Sequence, residues 1–315
     1  MTRCLCCGLP IDEANGVYHT RCRKRLFQST KIPVFSYTRE QLNALATSII
    51  QSRISVPGVQ PKLSLHLERN SGGGNGRLTL VGLDGDFILK PPVSTWPHLP
   101  EAEHFCMLFA RLCRLSTAEF GLIPLASGEL AYITQRMDRK AGGKKIHMED
   151  FCQITNKLTE QKYRGSMEQV GKAIRRYSSV PGLDAIRFFE LSVFCFLTGN
   201  SDMHLKNFSL IHAGDGLGEL SPAYDLVPVN VIMPEDKEEL ALALNGKKAR
   251  IRRSDFEIFG HTIGLTAPQS KKALKRIGSA GPKKVSEALA RSFLPESMKT
   301  TFAALLQRRL ARLLG

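Results

Sequence analysis

The sequence lacks any apolar run long enough to cross a lipid bilayer. A membrane-spanning helix needs about 20 predominantly apolar residues, whereas the longest apolar stretch, Phe188–Leu197, is shorter and is interrupted by Glu190 and Ser192. The first four residues are not followed by the apolar core of a signal peptide. These absences predict a soluble cytoplasmic protein that does not act in a membrane.

Acidic residues are scarce at one end of the chain. The 315 residues include 44 Lys and Arg against 29 Asp and Glu, which gives a net charge of +15. Residues 241–315 carry 16 basic and 4 acidic residues, whereas residues 36–240 are almost neutral at −1. This uneven distribution argues against a protein that coats nucleic acid over its whole surface. The basic stretch 247–253 is either a solvated face or a surface for an acidic partner.

Half of the eight cysteines are concentrated near the start of the sequence, in a pattern typical of a metal site. The first 22 residues contain Cys4, Cys6, Cys7 and Cys22. Cys4-x2-Cys7 followed by His19-x2-Cys22 has the spacing of a tetrahedral zinc site, in which Cys6 could replace a neighbour. A segment this small cannot fold on apolar burial alone. The alternative is a set of free thiols near a mobile terminus. The remaining cysteines are predicted to be buried thiols: Cys106, Cys113, Cys152 and Cys195.

Hydrophobic periodicity divides the rest of the chain into a strand-rich part and a helical part. Strands are predicted at Leu63–Leu67, Leu78–Val81, Phe87–Leu89 and Leu130–Arg136, with the first three forming a meander. Helices are predicted at Thr38–Ile50, Glu101–Leu112, Met167–Tyr177, Gly182–Thr198 and Met298–Leu314. Thr38 and Gln41 have the spacing of a capping box at the start of the first helix.

A polar loop after the apolar helix has the spacing of a kinase catalytic loop. Asp202 and Asn207 are separated by four residues and precede the strand-like run Phe208–Ile211. In protein kinases the Asp of this loop accepts the proton of the substrate hydroxyl and the Asn holds magnesium. Such a pair is common by chance, so it becomes informative only together with other residues.

Three further residues appear in kinase order around this loop. Lys90 ends a predicted strand, where a kinase has its phosphate-binding lysine, and Glu103 lies on the next helix, where it can pair with that lysine. Asp225 follows the loop, at the place of the metal-binding aspartate. Oxygen ligands of this kind suit Mg²⁺. The combined order predicts a kinase-like phosphotransferase.

Longer motifs make the resemblance more specific. The segments 55–62 (SVPGVQPK), 200–209 (NSDMHLKNFS) and 223–225 (AYD) resemble the HipA family of bacterial toxin kinases, over roughly residues 33–265. The chain begins near the serine-containing loop, as in the shorter HipT-type toxins, in which the N-terminal subdomain of full-length HipA is a separate small protein.

The resemblance implies an α+β fold, a bilobed protein-kinase-like fold with a small β-rich N-lobe and a larger α-helical C-lobe. We expect a zinc-binding element at 1–32, the N-lobe at 33–137 and the C-lobe, with the basic C-terminal helices, at 138–315.

The resemblance also implies a role for each matching residue. Asp202 would be the catalytic base, and His204 and Lys206 would complete the catalytic loop. Asn207 and Asp225 would hold Mg²⁺. The ATP-binding residues would be Lys90, Glu103, Gln135, Met137 and Tyr224, with the backbone of Gln135 and Met137 at the adenine.

One serine matches the position that is autophosphorylated in the family. Ser55 begins a loop whose backbone would cover the ATP phosphates through Val56, Gly58, Gln60 and Lys62. A phosphate on Ser55 would add almost two negative charges and would no longer fit against ATP. The alternative is an ordinary turn hydroxyl.

The implied function is that of an ATP- and Mg²⁺-dependent serine/threonine-protein kinase, the toxin of a toxin–antitoxin system. The family implies an aminoacyl-tRNA synthetase as target, a HipB-like DNA-binding antitoxin and a HipS-like small protein as partners, and contact with DNA only through an antitoxin. The alternatives are a small-molecule kinase and a catalytically silent pseudokinase that binds antitoxin or DNA.

Overall fold

The computed structural model describes residues 2–12, 16–51, 60–70, 74–82, 84–139, 144–212, 214, 216 and 218–314, with only the backbone for 46–51 and 280–283. The chain forms two compact units. The first unit consists of residues 1–105, 118–145 and 291–294, and the second of residues 106–117, 146–290 and 295–315. None of the helices in the described part of the chain combines the length and the apolar character that crossing a membrane requires.

Helices and strands follow the periodicity of the sequence closely. The helices are α1 (Thr20–Phe27), α2 (Arg39–Gln51), α3 (Leu99–Leu112), α4 (Phe151–Ile154), α5 (Met167–Tyr177), α6 (Pro181–Thr198), α7 (Val229–Ile232), α8 (Arg253–Thr262), α9 (Ala267–Arg291) and α10 (Glu296–Leu314). The strands are β1 (Leu63–Glu68), β2 (Arg77–Val81), β3 (Phe87–Lys90), β4 (Phe120–Pro124), β5 (Leu130–Gln135), β6 (His147–Asp150), β7 (Ser209–His212) and β8 (Glu219–Leu220).

The sheet of the first unit has five antiparallel strands in the order β2-β1-β3-β5-β4. The predicted meander is wrong, because β1 pairs with both β2 and β3. Every second residue of β1 (Leu63, Leu65 and Leu67) is buried, whereas β2 buries only Leu78. The strand with the larger apolar face takes the inner position, and the more polar β2 takes the edge. The start of this edge is covered by Val34, which accepts from the N–H of Leu78 at 3.0 Å.

The start of α2 is determined by its predicted capping box. The backbone N–H of Thr38 donates to Gln41 Oε1 at 2.9 Å, and the N–H of Gln41 donates to Thr38 Oγ1 at 3.3 Å. These two bonds satisfy N–H groups that the first turn of a helix leaves unpaired. The helix therefore begins within one residue of the predicted start.

Helix α6 forms the centre of the second unit and delivers the chain to the catalytic loop. Phe188, Phe189 and Phe196 are fully buried, and the ring of Phe189 stacks on Phe259 at 5.5 Å. The helix ends at Gly199, whose φ of +75° is the left-handed conformation that glycine adopts without strain. A Cβ on Gly199 would also lie 2.7 Å from Leu305. The residue before the loop is thus restricted to glycine by both conformation and space.

Candidate active site

The predicted catalytic loop lies in the second unit and is closed by its own hydrogen bonds. Asn207 Nδ2 donates to the carbonyl of Asp202 at 3.1 Å, and the N–H of Asp202 donates to Asn200 Oδ1 at 3.2 Å. The N–H of His204 also donates to the Asp202 carbonyl, at 2.8 Å. Asn207 and His204 are buried, whereas the Asp202 side chain is exposed. The loop therefore presents one carboxylate to solvent from a rigid turn.

Tyr163 contacts this carboxylate, and the sequence contains no signal that would have found it. Its hydroxyl donates a hydrogen bond to Asp202 Oδ1, and its ring meets the edge of His204 at 5.0 Å. Burial, the hydrogen bond to Asp202 and the charge of that carboxylate all raise the pKa of Tyr163. The phenol therefore stays protonated at neutral pH and acts as a donor that orients Asp202.

Lys206 and Tyr224 make the contacts that fix the C-terminal part of the loop from Asp202 to Asn207. Lys206 Nζ lies 2.8 Å from Asp150 Oδ2, and Asp150 also caps α4 through the N–H of Gln153. The Tyr224 hydroxyl donates to the carbonyl of Lys206 at 2.9 Å and lies 2.6 Å from Ser209 Oγ. Burial raises the pKa of Tyr224, so it remains a donor. Asp150 is a second residue that the sequence analysis missed.

Asp225 occupies an unusual backbone conformation. Its φ of +58° lies in the left-handed region, which aspartate tolerates better than most residues. The preceding segment is held by a bond from the N–H of Ala223 to the carbonyl of Ser116 at 2.8 Å. Strained conformations of this kind are enriched at functional sites, although turns also use them. The oxygen ligands of Asp225 and Asn207 fit a hard divalent cation such as Mg²⁺.

The first unit contains the predicted lysine–glutamate pair. Lys90 Nζ lies 2.6 Å from Glu103 Oε1, and the two side chains are only 5% and 1% exposed. Lys90, at the end of β3, also lies over the ring of Tyr132 on the neighbouring strand, at 5.4 Å. A charge buried this deeply requires a partner of opposite sign. The predicted contact between Lys90 and Glu103 is therefore present.

The other predicted ATP-binding residues of the first unit lie at the end of β5 and beside β3. Gln135 is the last residue of β5, and Met137 lies two residues after it. Gln60 Nε2 donates to the carbonyl of Pro91 at 3.2 Å, which fixes the end of its loop next to Lys90. Lys62 is exposed. Ser55, Val56 and Gly58 lie outside the described residues.

Comparison with known proteins identifies the family to which these residues belong. A family model described as "HipA-like C-terminal domain" matches residues 54–285, which include both sets of residues described above. This chain is a member of the HipA family. The match covers well over half of the chain, and the kinase-like motifs all lie inside it.

Curated relatives of this HipA-family chain are named as kinases. "Putative kinase Y4dM" of Sinorhizobium fredii is 34% identical over 65% of this chain and 52% of its own length. A "Putative kinase" of Haemophilus influenzae is 27% identical over 84% of this chain and 82% of its own length. The "Serine/threonine-protein kinase toxin HipA" of Shewanella oneidensis is 26% identical over 75% of this chain and 58% of its own length. The chain thus spans little more than half of two of these relatives.

Two solved structures share the fold. HipA of Shewanella oneidensis, in a complex with HipB and operator DNA, matches with a TM-score of 0.68 and 24% identity over 83% of this chain and 65% of that chain. The Helicobacter pylori proinflammatory kinase CtkA matches with a TM-score of 0.55 and 18% identity over 79% of this chain and 93% of that chain. The predicted α+β kinase-like fold is therefore confirmed.

The predicted zinc ligands lie outside the matched HipA domain. Cys4, Cys7, His19 and Cys22 come together in the first unit, and their ligand atoms all lie within 4.8 Å of one another. The four cysteines that the sequence assigns to the interior are buried free thiols, as predicted: Cys106, Cys113, Cys152 and Cys195.

The basic stretch 247–253 is partly neutralised by carboxylates of the same unit. Lys247 Nζ lies 2.7 Å from Asp255, whose side chain is 2% exposed, and Lys248 pairs with Glu238 at 3.2 Å. Burial alone would raise the pKa of Asp255, but the hydrogen bonds from Lys247, Asn245 and a backbone N–H hold it below its usual value. Lys247 is itself 47% exposed, but its charge is paired with a buried carboxylate.

Proposed function

We propose that this HipA-family chain is an ATP- and Mg²⁺-dependent serine/threonine-protein kinase that acts as a toxin. The observation that carries the proposal is the buried ion pair between Lys90 and Glu103, at 2.6 Å. A buried pair is costly to maintain for stability alone, and in protein kinases the same pair must form before catalysis. The hydrogen-bonded loop from Asp202 to Asn207 supports the same proposed function.

The chemistry assigned to the loop is proton transfer. The oxygen of a serine or threonine hydroxyl attacks the γ-phosphorus of ATP, the bond from that phosphorus to the β–γ bridging oxygen breaks, and ADP leaves. Asp202 accepts the hydroxyl proton, while Tyr163 holds the carboxylate through its hydrogen bond to Oδ1. His204 and Lys206 keep the loop in shape, and Lys206 does so through Asp150.

The remaining residues would bind and orient the nucleotide. Asn207 and Asp225 would hold Mg²⁺, which neutralises charge on the phosphates when bound. Lys90 would contact the phosphates, with Tyr224 near the nucleotide. The N–H groups of Gln135 and Arg136 already donate to the carbonyls of Glu119 and Asp86, both at 2.8 Å. Adenine would therefore be bound by the N–H of Met137 and by a carbonyl from the end of β5.

Regulation and target follow from the family. Ser55 would be autophosphorylated, and Val56, Gly58, Gln60 and Lys62 would cover the phosphates before that event. The substrate would be an aminoacyl-tRNA synthetase in the cytoplasm, and its phosphorylation would arrest translation and growth. Family membership supports these assignments.

The partners would be antitoxins. The Shewanella oneidensis HipA structure contains HipB and operator DNA, which supports a HipB-like partner that alone contacts DNA. A HipS-like small protein would be a second partner.

The decisive experiment compares Asp202→Asn with Glu160→Gln, a matched loss of an exposed carboxylate in the same unit. After incubation with radiolabelled Mg-ATP and a cell lysate, the parent protein and Glu160→Gln should label a protein band, and Asp202→Asn should lose about 10³-fold in rate, in the middle of the usual range for general-base loss. Mass spectrometry of the peptide Ile54–Lys62 would locate phosphate on Ser55. Label in metabolites alone would indicate a small-molecule kinase, and no label with the parent protein would indicate a pseudokinase.

A further inference from the structure

Three thiols and one imidazole converge at the N-terminus, before the HipA-like domain begins. The ligand atoms of Cys4, Cys7, His19 and Cys22 all lie within 4.8 Å of one another. Cys4 and Cys22 are buried, with exposures of 0% and 7%, while Cys7 and His19 are half-buried. Sulfur and imidazole ligands in this number are the donor set of a tetrahedral structural zinc site.

A turn of the backbone and the start of α1 bring the four candidate ligands together. A tight turn is closed by the N–H of Gly8, which donates to the Cys4 carbonyl at 2.8 Å, and by the N–H of Cys4, which donates to the Leu9 carbonyl at 2.9 Å. Gly8 has a φ of +68°, which glycine adopts without strain. Cys22 lies in the first turn of α1, three residues after the N-cap residue His19, and the ligand atoms of the two residues lie within 4.8 Å of each other.

Hydrogen bonds of the imidazole select the tautomer that a metal requires. His19 Nε2 lies 3.0 Å from the carbonyl of Pro10, and a carbonyl only accepts, so Nε2 carries the proton. The lone pair is then on Nδ1, which lies 3.4 Å from Cys7 Sγ. An outer carbonyl that orients a ligand histidine is a regular feature of zinc sites. The backbone N–H of His19 also donates to Cys4 Sγ at 3.4 Å, as it would to a thiolate.

We propose that Cys4, Cys7, His19 and Cys22 bind one zinc ion in a closed structural site that anchors α3. All four positions of the ion are filled by the protein, so it has no place for a reacting water. The thiol of Cys6 lies beside those of Cys4 and Cys22 but is not among the four ligand atoms that all lie within 4.8 Å of one another. Its sulfur also lies against β4, where a Cβ on Gly121 would be 2.9 Å away. We therefore place Cys6 beside the zinc ligands rather than among them.

The zinc-bound segment is attached to the sheet and to the helix that carries Glu103. The carbonyl of Leu5 accepts from the N–H of Leu122 on β4 at 2.8 Å, and the Tyr18 hydroxyl donates to the Leu122 carbonyl at 2.6 Å. His104 Nε2 donates to the carbonyl of Cys6 at 3.0 Å. His104 is the neighbour of Glu103 on α3. Zinc thus fixes the position of the Cys6 carbonyl and, through it, this turn of α3.

Metal content of the full-length protein tests the site directly. Protein purified without chelator should contain about one equivalent of zinc, and cobalt(II) exchanged into the site should give the intense visible absorption of a tetrahedral thiolate complex. His19→Cys and Cys6→Ala should retain the metal, whereas Cys22→Ser should lose it. Metal-free wild-type protein that is folded and takes up no cobalt would overturn the proposal, as would loss of zinc from Cys6→Ala with retention in Cys22→Ser.

Hydrogen exchange tests the anchoring of α3 without any measurement of kinase activity. Removal of zinc by a chelator should increase amide exchange in the helix Leu99–Leu112 and leave the second-unit helix Met167–Tyr177 unchanged. His104→Ala should give the same local increase while zinc stays bound. Unchanged exchange in α3 after complete zinc removal would refute the anchoring role. Because neither experiment measures phosphorylation, failure here is separate from failure of the proposed function.

Discussion

Replacement of Glu103 by glutamine removes one charge from a buried ion pair and leaves the other in place. Lys90 and Glu103 are 5% and 1% exposed and lie 2.6 Å apart. Loss of one partner of a buried pair costs about 3–5 kcal/mol, and the glutamine oxygen can still accept one hydrogen bond from Lys90. We therefore expect Glu103→Gln to lower the free energy of unfolding by about 3 kcal/mol. At 2–4 °C per kcal/mol, the midpoint of thermal unfolding falls by about 6–12 °C.

Glu101→Gln on the same helix is the matched control. Burial raises the pKa of Glu101, so its surroundings already disfavour the charge that the substitution removes. Its effect on the unfolding free energy should stay within about 0.5 kcal/mol. Calorimetry measures both variants, and radiolabelled ATP measures the phosphorylation rate. That rate should fall at least about tenfold in Glu103→Gln only, which corresponds to about 1.4 kcal/mol in the transition state.

A double-mutant cycle decides whether the ion pair is the cause. Lys90→Met combined with Glu103→Gln should be less destabilised than the sum of the single changes, by about 2 kcal/mol, because the second change removes the unpaired charge left by the first. Strict additivity, or equal effects of Glu103→Gln and Glu101→Gln on stability, would refute the reasoning.

Two further predictions concern the second unit. Tyr163→Phe should lower kcat about tenfold with little change in KM for ATP, because it removes one hydrogen bond to the Asp202 carboxylate; an unchanged kcat in steady-state assays would contradict that role. Lys247→Ala should destabilise by about 1 kcal/mol, because Asp255 is buried but keeps its bonds from Asn245 and from the N–H of Arg252, and because Lys247 is itself 47% exposed. Arg253→Ala, which breaks an ion pair exposed on both sides, should cost less than about 0.5 kcal/mol. Since the pKa of Asp255 is lowered in the folded state, its stabilisation is present at neutral pH and is lost as pH falls below about 4. The thermal midpoint of Lys247→Ala should therefore fall less steeply with acid than that of the parent, and equal slopes would contradict this.

The ends of several helices could be predicted, because they depend on interactions between residues that are close in sequence. The capping box at Thr38 and Gln41 places the start of α2, and the apolar period places α5 at its observed limits, Met167–Tyr177. The pair of Lys90 and Glu103 was predictable from chain order, since a lysine at a strand end and a glutamate on the next helix are close in sequence as well as in space.

Contacts between distant segments could not be predicted in the same way. The order of β1, β2 and β3 depends on pairings between residues more than 20 positions apart, such as Leu63 with Leu89 and Leu65 with Phe87, which local periodicity does not specify. Tyr163 meets Asp202 across 39 residues of sequence. A tyrosine or an aspartate in a polar segment is commonly exposed to solvent. The residues next to Tyr163 and Asp150 in the sequence therefore do not indicate the contacts that these two side chains make.

The assignment of residues 291–294 to the first unit has a consequence for synthesis. Arg3 donates to the carbonyl of Ser292 at 2.8 Å and lies over the ring of Phe293 at 4.8 Å, and a Cβ on Gly8 would collide with Arg291. These contacts join Arg3 and Gly8 to a segment that the ribosome makes more than 280 residues later. A nascent chain therefore cannot complete its first unit before Leu294 has emerged, although domains often fold in order from the N-terminus. A stop codon before residue 291 would remove part of the first unit as well as α10.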